Sequence, residues 1–374
     1  MKIVLAPDSF KGSLSSPQAC AAMETGARRV FPDAEIIAVP LADGGEGTLE
    51  ALVDGAGGFF KTARVQNPLG GSIEARWGIL PDGKGVIEMA QASGLTLIPS
   101  EKRDALRASS YGTGQLIKAA LDAGCREILV GIGGSATTDG GAGALTALGV
   151  MLRDESDVIL PPGGASLLNL KGIDLRFSDA RIPKAKFTVL SDVSNPLCGP
   201  NGAARVYGPQ KGATAQDVEI LDAALANFAA VAREEVGRDY ANESGAGAAG
   251  GMGFGLMAFC GAQVRSGIEV VLEAAQLEAK LRGADFVLTG EGALDAQTFN
   301  GKTIAGVCIA AKSQNVPVVG FGGKIDLNGA QLDGLGLLSA FSVADGPRDL
   351  ESCLHNAAPL LETAVERALR LIRN

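Results

Sequence analysis

The sequence is poor in the side chains on which many catalytic centres are built. Of 374 residues only one is histidine, His355, only one is tryptophan, and aromatic residues make up 5%. A single imidazole excludes zinc sites assembled from several histidines and the HExxH arrangement, and leaves little basis for a Ser-His-Asp triad. Chemistry must rest on carboxylates, Lys and Arg, hydroxyls and backbone amides. The six cysteines (Cys20, Cys125, Cys198, Cys260, Cys308, Cys353) are scattered with no CxxC pair, which points to a reduced intracellular protein and not to a disulfide framework or zinc ribbon. Positive charge is also short. There are 33 Lys and Arg against 42 Asp and Glu, a net charge of −9, without the basic stripe of a nucleic-acid binder. Long apolar runs are missing as well. Ile3 to Ala6 is too short for an export signal, and the charge-free segment Ser244 to Val264 holds seven glycines in 21 residues. That segment reads as a buried glycine loop leading into a helix. A soluble, cytoplasmic protein is expected, with no membrane or nucleic-acid partner; monomer and homodimer both stay open.

Glycine, by contrast, is abundant: 52 residues, about twice the usual share. The chain has no three-residue period and is 46% hydrophobic, so it is neither collagen-like nor low-complexity. Glycines clustered between apolar runs mark tight loops or main chain packed closely against something.

The length suggests two domains or more. The opening reads βαβα: strand Lys2 to Ala6, a helix capped by Ser16 with Pro17 in its first turn, strand Glu35 to Val39, and a helix from Glu50. From Phe59 to Met89 three short strand-like runs follow without a helix, an antiparallel meander. Alternation resumes with helix Thr113 to Gly124, strands Glu127 to Ile132 and Phe187 to Leu190, and a long helix from Ala215 to Val236. After Gly283 the opening rhythm returns. Two N-terminal strands are too few for an open sheet, so both chain ends are expected to build one Rossmann-like parallel-sheet domain (1–64 and 284–374). A second mixed α/β domain, 65–283, is inserted between them.

Five loops at the carboxyl ends of predicted strands combine glycine with acids, hydroxyls or lysine, the place where open α/β sheets bind ligands. They are Asp8 to Ser13, Asp43 to Thr48, Gly131 to Gly141, Ser191 to Pro196, and Thr289 to Asp295 running on to Gly301-Lys302-Thr303. The third matches a GxGxxA dinucleotide fingerprint, but its packed hydroxyls Ser135, Thr137 and Thr138 with Asp139 suit a phosphate or carboxylate better. The fifth approaches a P-loop, yet position 296 is Ala296 and not glycine. The inventory fits phosphoryl transfer: Asp8, Asp43, Glu46, Asp139, Asp192, Glu291 and Asp295 as acids, Lys11, Lys211 and Lys302 as cations. The bland reading stands beside it, since an Asp next to Gly is often only a turn former or helix cap.

Seven segments in order, PDSFKGSLS, PLADGGEGT, VIEMAQASGL, GIGGSATTDGGAGALTALG, SDVSNPLCGPNGAARVYGPQKGA, GAGAAGGMGFG and TGEGALDAQTFNGKT, closely resemble the glycerate kinase family of the bacterial glycerate 2-kinase type. The resemblance implies transfer of the γ-phosphoryl group of ATP, with Mg²⁺, to the 2-hydroxyl of D-glycerate, in a cleft between two α/β domains. This chain departs from the family's usual pattern at Ser191, where Cys is common, and at Tyr111, where Thr is. Within such a site Asp192 is expected to be the base, with Lys11 and Asp43 as further catalytic residues. Ser9 and Lys11 hold the glycerate carboxylate or the transferring phosphate, and Asp43, Glu291 and Asp295 face Mg²⁺. Gly44, Gly45, Glu46, Gly133, Gly134, Ser135, Thr137, Thr138, Asp139, Asn195, Lys211 and Lys302 bind substrate or phosphate. Two alternatives remain: an NAD-dependent oxidoreductase using Gly131 to Ala136, and a non-catalytic ligand-binding regulator.

Overall fold

A computed structural model of the chain describes residues 1–299 and 303–373. It begins with β1 (Lys2–Leu5), α1 (Ser16–Val30), β2 (Glu35–Ala38) and α2 (Thr48–Ala56). The meander follows as β3 (Phe59–Gln66), β4 (Ser72–Ile79) and β5 (Gly85–Glu88). Next come α3 (Ala90–Ser93), α4 (Tyr111–Asp122), β6 (Glu127–Gly131), α5 (Ala142–Ala147), β7 (Met151–Arg153), β8 (Gly172–Asp174) and β9 (Lys186–Leu190). The chain continues through α6 (Ala203–Tyr207), α7 (Ala215–Val236), α8 (Ala248–Cys260), β10 (Gln263–Arg265), α9 (Gly267–Ala274) and α10 (Leu277–Leu281). It closes with β11 (Phe286–Leu294), α11 (Thr303–Ser313), β12 (Val318–Ile325), α12 (Gly329–Leu335), β13 (Ser339–Ser342), α13 (Leu350–His355) and α14 (Ala357–Arg370).

These elements form two compact units. The first comprises Met1–Asp43, Glu50–Ala56 and Gly267–Asn374. Its sheet has the order β13-β12-β11-β1-β2, parallel throughout. The strands are nearly continuous apolar runs because helices cover them; Ile3, Leu5, Leu288, Val319 and Phe321 are core. β1 is followed in the chain by its neighbour on one side, β2, and meets β11 on the other. The order reverses there, so the loops after β1 and β11 leave the sheet at a topological switch point.

The second unit comprises Gly44–Leu49 and Gly57–Ser266. Its sheet runs β10-β9-β6-β5-β4-β3, parallel from β10 to β5 and antiparallel from β5 to β3, as the helix-free meander implied. A separate antiparallel pair, β7 and β8, lies apart from this sheet. The large core includes Ile87, Val130, Phe187, Leu225 and Phe254. The sequence pattern put the divisions at 64/65 and 283/284, whereas the units divide at 56/57 and 266/267. β3 pairs along its whole length with β4, Phe59 opposite Ile79 to Gln66 opposite Ser72. At the other end α9 packs against α11 of the first unit.

Local chemistry explains the boundaries. α7 begins with a capping box in which Thr214 accepts from the Asp217 amide and the Asp217 carboxylate from the Thr214 amide. It ends at Gly237 in the left-handed conformation. α1 starts one residue earlier than expected: its cap is Ser15, and Gln18 completes the box. The Ser16 hydroxyl instead donates to Pro7 O (2.7 Å) and accepts from Leu41 N (2.8 Å), tying together the loops after β1 and β2.

Candidate active site

In the first unit the candidate residues gather at the switch point. Asp8 follows β1, is 8% exposed, and its amide donates to Gly290 O on β11 (2.8 Å). Its carboxylate accepts from the Ser9 amide (2.6 Å) and from the hydroxyl of Thr303 at the start of α11. Burial and the nearby Asp43 carboxylate raise its pKa to about 6, opposed by the bonds from Thr303 and Ser9 and by the charge of Lys11. Lys11 is exposed on the turn closed by paired Phe10 and Leu14 backbones, Phe10 N to Leu14 O 2.8 Å and the return bond 3.0 Å. A Cβ at Gly292 would lie 3.6 Å from the Lys11 amide, so the β11 segment carrying Glu291 runs beside this turn. Thr298 couples Glu291 within β11 to Asp295 just past it, its hydroxyl donating to Glu291 Oε1 (2.8 Å) and accepting from Asp295 N (3.1 Å). Ser9, Lys11, Asp43, Glu291 and Asp295 thus share one sheet edge with Asp8, an acid the sequence reading noted without giving it a role. Lys302 lies outside the described residues.

In the second unit, Glu88, Gly131 and Leu190 stand in register at the carboxyl ends of β5, β6 and β9. The segment Gly44–Leu49 crosses this edge. Gly133 N reaches Gly44 O (3.4 Å), and a Cβ on Gly133 would stand 2.4 Å from Gly45 Cα, so only glycine permits the approach. Glu88 is fully buried and accepts from Leu49 N (3.0 Å). It belongs to the VIEMAQASGL segment but was not singled out, because a lone Glu ending an apolar strand carries no local signal. Glu46, in the same crossing segment, is exposed.

The Ser135–Asp139 turn is held from three sides. Asp139 is buried and accepts from Ser110 N and Ser110 Oγ (both 2.8 Å), Gly143 N and Gly141 N (both 3.2 Å). Burial raises its pKa and these bonds oppose the rise. It thereby ties the first turn of the six-residue α5 to Ser110 at the start of α4. The glycine-rich segment forms the second side. Ala249, Gly250 and Gly251 are successively left-handed inside α8. Gly250 O accepts from Gly140 N (2.9 Å), and a Cβ on Gly250 would fall 1.9 Å from Thr137 O. Lys211 is the third: 2% exposed, it donates to Ser135 Oγ (2.9 Å) and Thr137 O (2.6 Å). Desolvation lowers its pKa to about 7 despite the attraction of Asp139. The Thr137 and Thr138 hydroxyls are buried with no hydrogen-bond partner among the described residues.

Asp192 lies two residues past β9 and is exposed. Its loop is pinned by Ser191 N to Arg265 O (3.0 Å) and by Asn195. The Asn195 side chain accepts from Tyr207 OH (2.9 Å) and donates to Asn201 O (2.8 Å), so it is engaged in holding the loop.

Comparison with known proteins settles what these two sheet edges belong to. The glycerate kinase family matches residues 3–373. The chain belongs to the glycerate kinase family. A glycerate kinase from Bacillus subtilis (strain 168) is 47% identical over 363 residues, covering 97% of this chain and 95% of the relative. A glycerate 2-kinase from Escherichia coli (strain K12) is 46% identical over 358 residues, 96% and 94% of the two chains. A crystal structure of a protein from Salmonella typhimurium LT2 superposes with a TM-score of 0.89 at 45% identity, covering 100% of this chain and 98% of the other. The protein is therefore a kinase with a nucleotide substrate, as the phosphoryl-transfer inventory indicated. Among the described residues no helix is long and apolar enough to cross a membrane.

Proposed function

We propose that the protein transfers the γ-phosphoryl group of ATP, presented with Mg²⁺, to the 2-hydroxyl of D-glycerate, giving 2-phosphoglycerate and ADP. The observation that carries this reading is the near full-length likeness to the E. coli protein named glycerate 2-kinase. The side-chain inventory supports it. Phosphoryl transfer through a loose transition state asks little of its base, so an exposed carboxylate suffices. Asp192, on a pinned loop, takes the proton of the 2-hydroxyl. Lys11 and Ser9 hold the glycerate carboxylate or the transferring phosphate. The Ser135–Thr138 turn with Gly44, Gly45, Gly133 and Gly134 receives the nucleotide phosphates. Asp139 and Asn195 act by shaping their loops.

The fit to Mg²⁺ rests on Asp8 and Asp43. Among the described residues no three acid, imidazole or thiol groups stand close enough to hold an ion unaided. Mg²⁺ needs only one or two protein carboxylates when phosphates and water complete its shell. A buried carboxylate pressed by a second one matches that demand. Asp43 would hold the ion with Asp8, and Glu291 and Asp295 would reach it directly or through water. The ion would neutralise charge on the phosphates. The cysteines, free in the structure, support a reducing cytoplasmic setting.

Phosphorus NMR of D-glycerate with MgATP tests the proposal in one sample. A 2-phosphoglycerate resonance growing with ADP is expected. A 3-phosphoglycerate product, or no phosphorylated product at all, would overturn it.

A further inference from the structure

Lys211 brings a cationic group into the interior of the second unit and uses it on one structure, the Ser135–Thr138 turn. Its Nζ donates to Ser135 Oγ at 2.9 Å and to the Thr137 carbonyl at 2.6 Å. Both acceptors lie more than seventy residues away in the chain, 76 and 74 positions respectively, so the contact is tertiary and not incidental to a local turn. The geometry around it allows little slack. The 3-10 turn Pro209–Lys211 ends at Gly212, left-handed, where a Cβ would stand 2.9 Å from Arg103 Cβ. Across the same Thr137 carbonyl, Gly250 leaves no room for a side chain. The carbonyl is therefore gripped between an ammonium and a glycine. Asp139 attracts the ammonium, yet its carboxylate already accepts from Ser110, Gly141 and Gly143. A buried ammonium is costly to keep unless its bonds serve something.

We infer that Lys211 is a positioning residue. It fixes the Ser135–Thr138 turn in the shape that receives the nucleotide phosphates, and it acts through the turn without touching the ligand. The inference rests on the reading of that turn as the phosphate-binding element. Charge-assisted hydrogen bonds to the turn are strong enough that losing them should weaken nucleotide binding roughly tenfold or more.

The experiment uses the full chain and three measurements: the Kd for MgADP by calorimetry, the KM for D-glycerate, and hydrogen–deuterium exchange over residues 131–141 with and without MgADP. In the unmodified protein MgADP is expected to add protection to that segment. In Lys211→Met, the MgADP Kd should rise roughly tenfold or more while the glycerate KM stays within about twofold. A general loss of structure would instead lower the active fraction without changing either constant in what remains. Should Lys211→Met fail to fold, Lys211→Gln, neutral but still a donor, carries the same expectation. Normal protection by MgADP together with an unchanged Kd in the folded variant overturns the role of Lys211 and leaves the turn as the phosphate site. No added protection in the unmodified protein overturns the reading of the turn, and the inference with it.

Discussion

The hydroxyl of Thr303, at the first residue of α11, donates to the carboxylate of Asp8, 295 positions earlier in the chain. That bond joins the loop after β1 to the helix after β11 at the switch point of the first sheet. It also holds a carboxylate where burial and Asp43 both disfavour its charge.

Asp8→Asn is accordingly expected to lower kcat and to stabilise the fold. Burial and Asp43 push the Asp8 carboxyl up to about 6 in the native state, against 3.8 for a free Asp side chain. The native state binds the extra proton between those values, so stability from this group is present at low pH and falls as pH rises through the window. Above pH 6 the deficit is complete, on the order of 1–3 kcal/mol. Thermal denaturation of the two proteins should coincide near pH 4 and separate in favour of Asp8→Asn above pH 6. A variant less stable than wild type at pH 7.5 would refute the electrostatic account.

Asp192→Asn should reduce kcat by roughly 10²–10⁴-fold with a nearly unchanged KM for ATP, since it removes a proton acceptor and leaves nucleotide contacts alone. A coupled ADP assay measures both constants. Near-normal kcat would take the base role away from Asp192.

Gly250→Ala should destabilise the second unit by about 2–4 kcal/mol, because its Cβ would collide with Thr137 O and its φ of 70° is strained for alanine. Gly261→Ala provides the comparison. It is also left-handed, with nothing within 4 Å of its Cβ, and should cost only about 1 kcal/mol. Equal losses in urea denaturation would show that the close approach at Gly250 contributes nothing.

Ser110→Ala removes the hydroxyl bond to Asp139 (2.8 Å) and the acceptor for Ala144 N (3.0 Å), while the Ser110 amide keeps its own bond to Asp139. Only the hydroxyl bonds are lost, so a destabilisation of about 1–3 kcal/mol is expected. Ser110→Thr should recover most of it.

Much of the fold was legible because its signals are local. α7 spans Ala215–Val236 just as its spacing indicated, with Thr214 and Asp217 supplying the cap. The helix-free stretch before β5 became an antiparallel meander. Local signals also misled: Ser15 and Ser16 both precede Pro17, and only the tertiary demand of Pro7 O and Leu41 N for the Ser16 hydroxyl decides that Ser15 is the cap.

The site was less legible, because burial is set by partners distant in sequence. Lys211 in GPQKGA resembles a surface cation until Ser135 and Thr137 are placed around it. Asp139 stands in a run of hydroxyls and glycines, and only the bonds it accepts from Ser110, 29 positions away, show how firmly its carboxylate is held. Asp8 gave no sign of its perturbed state, which needs Asp43 and Thr303 beside it.

The left-handed run at Ala249–Gly251 presses main chain directly onto main chain at Thr137 and Gly140. Side chains can yield by rotating, but two bare backbones in contact have nothing to rotate. Any rearrangement that a ligand asks of one strip must therefore carry the other along as a single rigid piece, and changes inherited in one will survive only where the other still fits against it.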